Sequence, residues 1–178
     1  MKKVILIFAL AIFSLPAIAQ NPFASFENDD DVSSVVMTKQ MFKLLSKMDL
    51  EADDPEVTEY LKLINNLKEV KIFTTDKAAT AAKMKRSVTS YLKANSTLSE
   101  LMRVKDDGKN IVFYSREGKN ENYVNELLMF LDGDIDGKAR SVVMSITGNI
   151  DLRQISKLTK DLDVPGSDQL KNVKSKKQ

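Results

Sequence analysis

The chain contains no histidine, no cysteine and no tryptophan. Without an imidazole base, serine–histidine and cysteine–histidine nucleophile systems are excluded. Zinc and copper sites built from imidazole or thiolate ligands go with them. Only chemistry by carboxylate, lysine, tyrosine or hydroxyl groups remains. No disulfide can form, and no cysteine can carry the lipid of a bacterial lipoprotein. Long apolar runs are missing too. The one candidate, Val4 to Leu15, falls short of the roughly 20 residues that span a bilayer.

That short run has a different reading. Lys2 and Lys3 precede it, Pro16 breaks it, and Ala17-Ile18-Ala19 supplies a small-x-small cleavage pattern. These are the parts of a secretory signal in order. Residues 1–19 are therefore expected to be a signal peptide, removed to leave Gln20 first. The expected address is exported, either periplasmic or secreted, with no transmembrane or lipid anchor after cleavage. Removing nineteen of 178 residues leaves 159, enough for one domain. A domain of that size buries roughly 70% of its unfolded surface and needs no staples. The precursor has 27 basic and 25 acidic side chains, and loss of Lys2 and Lys3 balances them. A neutral chain gives no global electrostatic reason to bind nucleic acid.

Residues 20–31 read as an extended leader, polar apart from Phe23 and Phe26. A single domain is expected over 32–164, and a basic, disordered tail over 165–178. Val32 to Met37 suits a strand. Thr38 can then cap a helix whose Met41, Phe42, Leu44, Leu45 and Met48 form one buried face. After an acidic connection, Asp54-Pro55-Glu56 opens a second helix with Val57, Tyr60, Leu61, Ile64 and Leu67 on its apolar stripe. Val70 to Thr75 is a strand, and Asp76 caps a third helix carrying Ala81, Met84, Val88, Tyr91 and Leu92.

Four strands follow, Leu98 to Lys105, Ile111 to Ser115, Tyr123 to Leu131 and Ser141 to Thr147. Turn-like connections join them, which implies antiparallel hairpins. Alternation in the last suggests a half-buried strand ended by Gly148-Asn149. Asp151 then caps a final helix with Leu152, Ile155, Leu158 and Leu162, stopped by Pro165-Gly166. The predicted order is β-α-α-β-α-β-β-β-β-α. It describes an α+β domain, helices packed on a mainly antiparallel sheet.

Three hydrophobic patterns carry a family resemblance. They are Val35-Val36-Met37 with Met41-Phe42-Lys43-Leu44-Leu45; Leu67-Lys68-Glu69-Val70-Lys71-Ile72-Phe73; and Val143 to Leu152 leading to Ile155 and Leu158. From about Val32 to Leu162 the layout resembles a family of exported Bacteroidetes-type bacterial proteins, catalogued as a domain of unknown function. The resemblance brings no catalytic or binding residues with it.

The chain's own candidates are few. Asp132, Asp134 and Asp136 with Gly137 match the first half of a calcium loop. Position twelve, which should be a bidentate glutamate, is Val143, so a hairpin turn is the expectation and calcium the alternative. Ser90 and Lys93 match a Ser-x-x-Lys pair, but no companion motif of acyl-transfer enzymes is present. Paired carboxylates could serve a glycoside hydrolase, yet the acidic residues cluster where capping and solvation explain them. No cofactor is expected. The favoured function is a non-catalytic envelope protein that contacts another macromolecule, through a sheet edge or a helical face. A small-ligand or calcium module and a carboxylate-only hydrolase are the alternatives.

Overall fold

The computed structural model describes residues 22–47, 55–106, 108–135 and 138–153. The elements run β1 (Ser33–Thr38), α1 (Lys39–Leu45), α2 (Pro55–Asn65), β2 (Leu67–Thr75), α3 (Ala78–Ala94), β3 (Leu98–Asp106), β4 (Lys109–Glu117), β5 (Tyr123–Ile135) and β6 (Lys138–Asp151). All six strands form one antiparallel sheet in the order β1-β2-β6-β5-β4-β3. The α+β class and the order of elements are as expected from the sequence. The signal, Met48, the acidic segment to Asp54, the tip of the β5–β6 hairpin, and the final helix and tail from residue 154 lie outside the described residues.

Both faces of the sheet are covered. On one, Val70, Ile72, Phe113, Leu127, Met129, Met144 and Ile146 pack with Phe42 of α1 and Leu63 and Ile64 of α2. On the other, Phe73, Leu128, Phe130 and Val143 pack against Met84 and Val88 of α3. This double cover explains Leu127-Leu128-Met129-Phe130-Leu131, an apolar run without alternation, every member buried. It also corrects the reading of β6 as half-buried: Ser141 through Met144 are buried on both sides, and partial exposure begins at Ser145.

The expected extended leader folds into the domain. Ala24–Phe26 form a single 3-10 turn, which brings residues three apart onto one side. Phe23 and Phe26, each 2% exposed, are thereby set against Phe73 with ring centroids 6.4 and 6.1 Å away. Phe23 also meets the Tyr91 ring edge-on at 5.6 Å. Two phenylalanines in a polar stretch were core residues because the space between α3 and β2 is theirs to fill.

Three boundaries shift. Lys77, not Asp76, is the N-cap of α3, and no side chain bonds there; instead the Thr75 hydroxyl accepts the Lys77 N–H at 3.1 Å. Leu67 begins β2 and does not extend the stripe of α2. Gly148 does not end β6. Its φ of +144° and the 2.4 Å at which a Cβ would meet the Asn66 carbonyl oxygen make glycine necessary there. With no side chain, the strand slips past the α2–β2 corner, bonds Asn149 N–H to Asn66 O at 2.9 Å, and continues to Asp151. The Asp151 carboxylate then accepts the Arg153 N–H at 2.9 Å.

Candidate functional site

The aspartate-rich segment is mostly strand. Asp132 and Asp134 belong to β5, opposite Ser141 and Ala139 of β6, so the connection shrinks to residues 136–137. A calcium loop must curl its ligands around the ion; here the first two positions lie along extended backbone. The Asp132 carboxylate accepts a bond from Lys85 Nζ of α3 at 2.8 Å and another from the Ser141 hydroxyl at 3.2 Å. Asp136 lies outside the described residues. Among the described residues, no three His, Cys, Asp or Glu side chains gather as a metal would need. Ser90 and Lys93 are both exposed on α3.

A polar cluster that sequence reasoning missed sits under the C-terminal end of α3. Arg116 and Glu126 face each other across β4 and β5. The Arg116 guanidinium donates to Glu126 Oε2 from Nε at 3.2 Å and Nη2 at 3.0 Å. It also reaches Asn95 Oδ1 at 3.1 Å and the Thr97 hydroxyl. Tyr91 of α3 donates its hydroxyl to Glu126 Oε1 at 2.7 Å. Both oxygens of this buried carboxylate are thus engaged. The turn at Gly118 to Asn122 would not reveal the pair, because the β4–β5 register shifts between Glu117 and Arg116.

Burial, reinforced by the Glu126 carboxylate, pushes the Tyr91 phenol up to about 12 from its ordinary 10. The proton stays on longer in the folded protein than in the unfolded chain. That contribution to stability is complete below pH 10 and is lost as the pH climbs from 10 to 12. Denaturant melts across this range are expected to lose stability more steeply for the native protein than for Tyr91→Phe. Parallel curves would remove Tyr91 from the account. Lys71 behaves alike: burial opposes its charge, but carboxylates of Glu27 at 2.8 Å and Glu69 at 3.0 Å outweigh it and raise the amine.

The sheet's two edges are unequal. Edge β3 carries Glu100, Arg103 and Lys105, and its register breaks between Glu100 and Met102. Charges and bulges of this kind stop a strand edge from pairing with another chain. Edge β1, Ser33-Ser34-Val35-Val36-Met37-Thr38, has no charge, no proline and an unbroken register against β2. Val35 is 45% exposed and Val36 39%. Directly after it, α1 does not bury its apolar residues Met41, Phe42, Leu44 and Leu45 on one face. Phe42 is in the core, while Met41 and Leu44 are exposed on another side. Among the described residues, these four are the exposed large hydrophobic side chains, and all stand within ten residues of sequence.

An open cleft beside this edge is lined by Asp30, Asp31, Asp76, Lys77 and Arg140. In its wall the Asp31 main-chain carbonyl accepts the Thr75 hydroxyl at 2.7 Å. Among the described residues no helix is long and apolar enough to cross a membrane.

No curated protein matches the chain, and no solved structure does. A family model does, over residues 26–158, from the buried Phe26 through the whole sheet. The chain belongs to the family described as a domain of unknown function, DUF4252.

Proposed function

We propose that this is an exported, non-catalytic protein of a bacterial envelope that works by making a protein–protein contact through β1 and α1. The observation that carries the reading is the open edge, where an unguarded strand adjoins exposed Val35, Val36, Met41 and Leu44. Monomeric surfaces rarely gather apolar side chains without a binding role, and strand edges bind by main-chain hydrogen bonds. Export rests on the charged, apolar and small-x-small order of residues 1–19. The absence of histidine and cysteine from the sequence, and the engagement of Glu126 and Asp132 by basic partners, favour binding over catalysis.

A photo-crosslinking residue placed at position 36, and in a second strain at 103, tests the edge in intact cells expressing the full precursor. An adduct at 36 and none at 103 is the expected result, on protein that begins at Gln20 outside the cytoplasm. Folded, abundant protein without any adduct at 36 would overturn the proposal.

A further inference from the structure

We infer that the strand laid against β1 is β1 of a second copy, so that two sheets join across a two-fold axis into one of twelve strands. This rests on the edge reading above and names its partner. The first ground is charge. β1 carries none, so antiparallel self-pairing brings no like charges together, the usual penalty for matching a strand with itself.

The second ground is register. In the sheet, Val35 and Met37 lie opposite Ile72 and Val70, on the face toward α1 and α2; Ser34 and Val36 lie opposite Phe73 and Lys71, on the face toward α3. A two-fold axis perpendicular to the sheet keeps the faces together, and directly opposed residues of an antiparallel pair share a face. The axis must then pass through a residue, not between two. Centred on Val36, the strands set Val36 against the partner's Val36, Val35 against the partner's Met37, and Ser34 against the partner's Thr38. Apolar meets apolar and hydroxyl meets hydroxyl in each of these pairs. Centred on Val35, Val36 would face the partner's Ser34 and Met37 the partner's Ser33. The first register is the one these residues match.

The third ground is the contrast with β3, whose charges and register break withhold the other edge from the same event. A contact of this kind is isologous and closes with two copies. It is also small, at the low end of specific interfaces, so exchange with monomer at low concentration is expected.

The chain's lack of cysteine makes the test direct. Single variants Val36→Cys, Val35→Cys and Arg103→Cys are purified after expression of the full precursor and oxidised mildly. At position 36 the two Cβ atoms would lie about 5 Å apart and a disulfide-linked dimer is expected. At position 35 the two Cα atoms would be roughly 8 Å apart, beyond the about 7 Å a disulfide bridges. Positions 35 and 103 should stay unlinked. Sedimentation of the cysteine-free protein should give the mass of two copies at high concentration, insensitive to salt because no charges pair. Val36→Lys should return it to one copy.

A native protein that sediments as a monomer, with Val36→Cys unlinked, overturns self-pairing. The photo-adduct at position 36 then separates the two failures. An adduct with another protein keeps the edge and rejects the second copy, and no adduct rejects both. Linking through position 35 in place of 36 overturns the pairing proposed here.

Discussion

Truncating Phe73 to alanine is expected to lower the unfolding free energy by about 4 kcal/mol. Phe73 is fully buried in β2, opposite Val143 of β6. Its ring is the platform on which Phe23 and Phe26 rest. Removal takes away the transfer energy of the ring, leaves a cavity, and forfeits the aromatic pair contacts, worth about 0.5–1.5 kcal/mol each. Collapse of the site would move the 3-10 turn of Ala24–Phe26, which holds a bond from Phe26 N–H to Phe23 O at 3.0 Å. The expected loss should therefore be accompanied by faster hydrogen exchange at the amides of residues 23–32. Urea melts supply the free energy. A loss below about 1 kcal/mol, with exchange unchanged, would mean that the turn does not depend on Phe73.

The second large effect is at Glu126. Glu126→Leu is expected to cost about 2–3 kcal/mol, because the Arg116 charge and the Tyr91 hydroxyl lose their buried acceptor. The figure sits below the full range for a broken buried pair because the Arg116 side chain, 29% exposed, keeps access to water. Adding Arg116→Met is expected to restore most of the loss, since an apolar pair in place of an ion pair is often close to neutral. A double-mutant cycle of urea melts reads the coupling directly. If the two losses simply add, Arg116 and Glu126 are independent and the cluster is a drawing of proximity, not an energetic unit.

Much of this architecture could be read from residue order. Turn residues between apolar runs gave the four-strand meander, Pro55 gave the start of α2, and Met84 and Val88 gave the buried stripe of α3. What could not be read depended on tertiary placement. Nothing local distinguishes Phe23 and Phe26 from exposed phenylalanines, because their burial is decided by a gap between α3 and β2. Gly148 looked like a stop, since its real role is to pass the Asn66 carbonyl, a neighbour distant in sequence. The polar cluster needed the β4–β5 register to place Arg116 beside Glu126. The candidate edge was half legible. The run Val35-Val36 declared a strand, but that the strand ends the sheet follows only from the order β1-β2-β6. Likewise the apolar spacing from Met41 suggested one buried face, while in α1 Phe42 is in the core and Met41 and Leu44 are left outside.

The defended edge has its own consequence. A sheet open on both sides can polymerise, each added chain presenting the template for the next, which is how cross-β fibres grow. In this fold whatever joins at β1 leaves β3 as the outer boundary, and β3 is ionic and out of step with a straight neighbour. Growth by identical copies is consequently self-terminating: the same strand that invites company cannot be used twice.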